Sequence, residues 1–135
     1  MKDKISIKKY DEARDADAMF ALMKQEGDWG DCCNEGNEAK YKLTLNKSVA
    51  FVLYCGDTLC GFVRVRDDSG FGVYIHDLLV GKKYRGSGYG KMLIEFAADG
   101  FAGSTVYVLS DVDDYYNKQG YVKKVGSVIT VREKK

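Results

Sequence analysis

Residues 76 to 91, His-Asp-Leu-Leu-Val-Gly-Lys-Lys-Tyr-Arg-Gly-Ser-Gly-Tyr-Gly-Lys, restrict this chain more than any other stretch. An apolar run ends at Val80, a basic glycine-rich turn follows, and a helix is expected to open near Gly88. Glycines let a turn approach a ligand without Cβ atoms in the way, and the unpaired N–H groups of a helix start point at whatever sits there. That geometry binds anions, phosphates above all. Lys82, Lys83, Arg85 and Lys91 are the charged residues between Gly81 and Ile94, so the local field favours a polyphosphate.

Two common phosphate loops fix their glycines and fail here. A Walker A loop ending at Gly90-Lys91 requires Gly where Arg85 stands and Ser or Thr where Met92 stands. A Rossmann fingerprint requires a third glycine where Lys91 or Leu93 stands. What remains is R-x-x-G-x-G, read as Arg85, Gly88 and Gly90.

This pattern resembles the cofactor motif of the GNAT superfamily, the Gcn5-related acetyl-coenzyme A-dependent N-acetyltransferases. In that family Q/R-x-x-G-x-G/A follows a central strand and opens the helix that holds the coenzyme A pyrophosphate. A second block, Tyr115-Tyr116-Asn117-Lys118-Gln119-Gly120-Tyr121, is similar to the family's F/Y-Y-x-K-x-G-F/Y. A helix and a strand separate the two blocks, in the family's order.

The rest of the chain is compatible with that resemblance. Ile5 to Tyr10 alternates and predicts a strand. Ala13 to Gln25 carries Ala16, Met19, Phe20 and Met23 at helical spacing, with Gly27 placed to stop the helix. Gly27 to Asn37 reads as a loop, and a helix over 38–46 follows. Val49 to Tyr54 and Thr58 to Arg66 flank Gly56-Asp57 as a hairpin, and a strand over 71–80 extends it into an antiparallel meander. A helix over 88–98 should bury Met92, Leu93, Phe96 and Ala97. Thr105 to Leu109 then returns as a strand parallel to its predecessor. A helix over 112–119 and strands over 121–124 and 128–132 complete the order β-α-α-β-β-β-α-β-α-β-β. The expected fold is α/β (α+β), the acyl-CoA N-acyltransferase fold of this family, with a mixed, mostly antiparallel sheet flanked by helices. Its 135 residues suit one domain over 1–135.

The formal net charge of +1 gives no overall pull toward nucleic acid or membrane, and a phosphate cofactor already accounts for the basic cluster. No apolar run approaches the ~20 residues of a membrane span, and the N-terminus carries no apolar signal core. A cytoplasmic protein is therefore expected. Cys32, Cys33, Cys55 and Cys60 are read as reduced thiols rather than metal ligands, because their spacings match no usual zinc site.

The resemblance implies a set of site residues. Acetyl-coenzyme A would lie along the strand at Leu78, Leu79 and Val80, hydrogen-bonded to their backbone, with an amide near Leu79 or Val80 stabilising the oxyanion. Arg85, Gly86, Ser87, Gly88, Tyr89, Gly90 and Lys91 would hold its phosphates. Tyr116 matches the family tyrosine that protonates the departing thiolate, while Tyr115 and Tyr121 pack inward. Where polyamine acetyltransferases have Glu-Asp, this chain has His76-Asp77. The imidazole of His76 is suited to accept a proton at neutral pH. Asp77 reads as a structural acid on the opposite face, and a water-relayed base is the alternative.

Five acids and no Lys or Arg stand between Glu26 and Glu38, around the only tryptophan. Asp28, Trp29 and Asp31 are the acceptor-binding candidates, with Trp29 packed on the core as the other reading. The activity implied is acetyl transfer to a primary amine of a small, cationic acceptor, or a protein amine, by direct attack in a ternary complex. The alternative is a coenzyme A-binding sensor or partner module with little catalysis. The resemblance also allows a homodimer.

Overall fold

The computed structural model describes residues 4–110, 113–121, 124, 126 and 128–133. Strand β1 (Ile5–Lys9) leads into helix α1 (Glu12–Glu26), the short helix α2 (Gly30–Cys33) and helix α3 (Asn37–Asn46). A meander of β2 (Val49–Cys55), β3 (Thr58–Asp67) and β4 (Val73–Val80) follows. A 3-10 turn at Lys82–Tyr84 precedes α4 (Tyr89–Asp99), β5 (Val106–Val108) and α5 (Asp113–Lys118). The sheet order is β1-β2-β3-β4-β5, antiparallel through β4 and parallel between β4 and β5. This is the mixed sheet flanked by helices that the pattern predicts.

Local chemistry sets the helix ends. The Asp11 side chain accepts from the Arg14 N–H and caps α1, and Gly27, at φ 86°, ends it in the left-handed conformation that only glycine adopts without strain. Met19, Phe20 and Met23 of α1 and Tyr41 and Leu45 of α3 bury against Val52, Phe62 and Leu79 on one sheet face. Leu93, Ile94 and Ala97 of α4 bury against Leu53, Val63, Val65 and Ile75 on the other. Each large side chain withdrawn from water in this way contributes about 1.5–3 kcal/mol.

Several expectations are corrected. A single turn of helix, α2, interrupts the segment read as loop. Met92 and Phe96 are 42% and 44% exposed, whereas Ile94 is buried. The apolar stripe of α4 is thus turned toward Leu93, Ile94 and Ala97, and Phe96 lies edge-on against Phe51 at 5.1 Å. Val128 to Arg132 forms no strand, and Val128, Ile129 and Val131 are exposed. Of the strand expected over 121–124, Val122 and Lys123 lie outside the described residues, as do Asp111 and Val112 before α5.

Candidate active site

Two irregularities in β4 build the site. In the β3–β4 ladder Arg64 faces Asp77 and Val65 faces Ile75, so His76 is an extra residue without an opposite number. A bulge of this kind reverses the alternation of the strand beyond it. Val73 and Ile75 therefore share the α4 side with Leu78 and Val80, while Leu79 packs with α1 and α3. Asp77 turns to the α3 side, where the Tyr41 hydroxyl donates to its Oδ2 at 2.7 Å.

The second irregularity is a splay. Pairing between β4 and β5 covers Val73 to Ile75 only, and the last bond across it runs from the Leu109 N–H to the Ile75 carbonyl at 3.0 Å. Beyond Ile75, no strand among the described residues pairs with the outer edge of β4. The Gly81 N–H donates to the Cys60 carbonyl at 2.8 Å, which fixes the phase of the ladder. Alternation then commits the Leu79 amide to β3 and turns those of Leu78 and Val80 toward the open wedge. Of the three backbone candidates, Leu78 and Val80 are the available donors.

The wedge opens onto the basic glycine turn. Gly86 and Gly88 have φ of 87° and 83°, and a Cβ built on either meets nothing within 4 Å. The glycines are thus required by backbone conformation, and space lies beside them. Gly88 caps α4 without a side-chain hydrogen bond, which leaves the first N–H groups of the helix without that kind of cap. Lys82, Lys83, Arg85, Ser87 and Lys91 are exposed around it. This open, cationic, glycine-lined helix start fits a polyphosphate, and an extended arm running from it would enter the β4–β5 wedge.

Gly90 serves a different purpose. A Cβ there would lie 2.0 Å from the Tyr115 hydroxyl, so glycine admits α5 against the start of α4. Tyr115, expected only to pack, is the tyrosine whose hydroxyl abuts the glycine turn. Tyr116 packs with the α4-side cluster, and the two rings meet edge to face at 5.0 Å.

His76 is half-buried. Burial pushes its imidazole below its ordinary pKa, and the charges of Arg64 and Arg66 push the same way, against the opposing pull of Asp77. The ring is therefore neutral at pH 7 and able to accept a proton. Asp77 is bonded by the Arg64 Nε at 2.6 Å, and an Arg64 terminal nitrogen donates to the Ser48 hydroxyl at 3.2 Å. Burial, the Asp77 charge and their hydrogen bond hold the Tyr41 phenol far above its usual range. Asp77 is thus the anchor of a polar network joining Tyr41, Arg64 and Ser48, residues that no local spacing connects.

The segment from Gly27 to Gly36 lies against this network. Trp29 is half-buried, edge-on to Phe62 at 5.6 Å, so its ring is committed largely to the core. The Cys32 thiol is pushed up to about 11, by burial first and by Asp77 next, and stays protonated at neutral pH. Asp28 and Asp31 are exposed, as is Glu35. The other two acids of the run are engaged: Glu38 pairs with Lys24 at 2.8 Å, and Glu26 pairs with Arg85. All four cysteines are free. Among the described residues, no cluster of three or more His, Cys, Asp or Glu could hold a metal, and no helix is long and apolar enough to cross a membrane.

Comparison with known proteins bears on the family and the fold. The family model for the acetyltransferase (GNAT) domain matches residues 46–123, more than half of the chain. Among solved structures, a GNAT family acetyltransferase from Streptococcus pneumoniae is 23% identical, with a TM-score of 0.69 over 96% of this chain and 100% of its own. The aminoglycoside N-acetyltransferase AAC(6′)-Iy in complex with CoA is 17% identical, with a TM-score of 0.72 over 97% of this chain and 95% of its own. A transcriptional regulator from Bacillus halodurans is 13% identical, with a TM-score of 0.76 over 96% of this chain and 100% of its own. These likenesses show the fold. A search of curated protein sequences gave no significant match.

Proposed function

Because the chain belongs to the GNAT acetyltransferase family, whose activity is acetyl transfer from acetyl-coenzyme A, we propose that it acetylates the primary amine of a small cationic acceptor by direct attack in a ternary complex. The observation that carries this reading is the β4–β5 wedge, which joins the glycine-capped start of α4 to the bulged segment at His76. When bound, acetyl-coenzyme A supplies an acetyl thioester.

The residues of this chain divide the remaining work. The N–H groups of Leu78 and Val80 line the wedge as donors to the thioester carbonyl oxygen. Arg85 and the turn from Gly86 to Lys91 hold the phosphates. His76 takes the proton of the acceptor amine as its nitrogen bonds to the acetyl carbon. Tyr116 donates the proton of its phenol to the sulfur as the carbon–sulfur bond breaks. The exposed carboxylates of Asp28 and Asp31 favour a cationic acceptor such as a polyamine, an aminoglycoside or a lysine-like group.

Calorimetric titration with acetyl-coenzyme A, followed by thiol release across a panel of amines, tests the reading. Binding accompanied by turnover of cationic amines is expected. Binding without turnover of any amine would favour the sensor module instead. Loss of no activity on charge reversal of Asp28 and Asp31 would remove the cationic preference.

The pH dependence has a definite sign. His76 must be neutral to act, and its pKa lies below the ordinary 6.5. kcat/KM should therefore fall on acidification through a midpoint below 6.5 and stay unlimited by this group through pH 7. An acceptor amine titrates far above, near ~10, so the two limbs separate. His76→Gln should abolish the acid limb and lower kcat about 100-fold. An acid limb unchanged in the variant would assign the base elsewhere.

Tyr116→Phe should lower kcat about 100-fold with little change in KM, since the phenol acts on the leaving sulfur. Tyr115→Phe is the paired measurement, because its hydroxyl abuts Gly90. A larger loss in Tyr115→Phe would transfer the acid role to that residue.

A further inference from the structure

Glu26 is the last residue of α1, immediately before the acceptor-side segment, and its side chain is 7% exposed. One carboxylate oxygen accepts from a terminal nitrogen of Arg85 and the other from the Lys82 backbone N–H at 3.3 Å. Arg85 is held at a second point, its Nε donating to the Val80 carbonyl at 2.9 Å. The first residue of the R-x-x-G-x-G pattern is therefore tied to α1 and to the end of β4, and its charge is matched by a carboxylate of the chain itself.

A carboxylate bridging a guanidinium and a backbone amide makes the contacts that a phosphate oxygen makes. From this arrangement, and resting on the proposal that the turn holds the cofactor phosphates, we infer that Glu26 is an internal competitor for them. It is a residue that sets cofactor affinity by occupying Arg85 and the Lys82 amide until phosphate oxygens take its place. Nothing in the packing of α1 requires this residue to reach the turn, since the buried side of the helix is carried by Met19, Phe20, Leu22 and Met23. The cost of breaking the pair with Arg85 and displacing the buried carboxylate falls on the cofactor.

Glu26→Gln is nearly isosteric and keeps a hydrogen-bonding oxygen, so it removes the charge with little change in shape. Calorimetric titrations of wild type, Glu26→Gln, Arg85→Gln and the double variant with coenzyme A, inorganic pyrophosphate and S-acetylpantetheine, which carries no phosphate, test the inference. Thermal unfolding confirms that each variant is folded. Glu26→Gln should bind coenzyme A and pyrophosphate about tenfold tighter, with S-acetylpantetheine unchanged and no gain in the Arg85→Gln background.

Equal or weaker coenzyme A binding by a folded Glu26→Gln, with wild type binding normally, would overturn the competition and leave the acetyltransferase reading standing. A gain that persists without Arg85, or extends to S-acetylpantetheine, would also overturn it. Pyrophosphate binding that tightens in Glu26→Gln, while neither protein binds coenzyme A, would keep the competitor and overturn the cofactor reading. Absence of binding by every probe would overturn both.

Discussion

Arg85→Glu combined with Gly88→Asp is expected to weaken acetyl-coenzyme A binding at least about 100-fold while leaving the fold intact. The first change replaces a cation at the turn with an anion. It also sets a second carboxylate against Glu26, which lies in contact with Arg85. The second change places a carboxylate at a residue whose φ is 83° and whose missing Cβ opens onto free space, so the loss arises from charge and backbone preference rather than from a clash. Arg85 and Gly88 are both exposed, and neither belongs to the buried clusters. Calorimetry for binding and circular dichroism for the fold check the outcome together. A folded variant with wild-type affinity would remove the phosphate role of this turn.

Asp77→Ala should be the most destabilising of the changes considered, by about 3 kcal/mol. Arg64 and Asp77 side chains are 13% and 19% exposed, so water screens the pair only in part. Truncating the acid leaves the guanidinium half-buried without its 2.6 Å partner and the Tyr41 hydroxyl without its acceptor. In a chain of this length the midpoint of thermal unfolding should drop about 10 °C. The double change Arg64→Met with Asp77→Leu should recover most of that loss, because it removes the unpaired charge as well as the pair. Simple additivity of the two single changes would show that the residues do not act as a unit.

The network shows where reading the chain stops. Arg64 and Asp77 lie thirteen positions apart on neighbouring strands, and a regular ladder would have left the alternation of β4 unbroken beyond Ile75. The extra residue at His76 reverses that alternation, and no local signal at His76-Asp77 announces it, because a bulge is decided by pairing with the opposite strand. Tyr41 and Ser48 join the network from α3 and the turn after it, which no spacing rule connects to β4. Trp29 is half-buried with its ring edge-on to Phe62, a contact that no spacing along the chain announces. The acidic run likewise looked uniform, yet Glu26 and Glu38 are paired while Asp28, Asp31 and Glu35 remain exposed.

Short-range features were legible because they depend on neighbours along the chain. The glycine stop of α1, the glycine turn at 86–90, the hairpin at Gly56-Asp57 and the parallel return of β5 all follow from local conformational preference or the reach of a short connection. What only the tertiary structure decided is how those pieces meet. The splay between β4 and β5, the turning of the Leu78 and Val80 amides rather than that of Leu79 toward it, the approach of Tyr115 to Gly90 and the bond from Glu26 to Arg85 each join residues remote in sequence. Their geometry is set by side chains and backbone groups competing for the same space, and that competition exists only once the chain has folded.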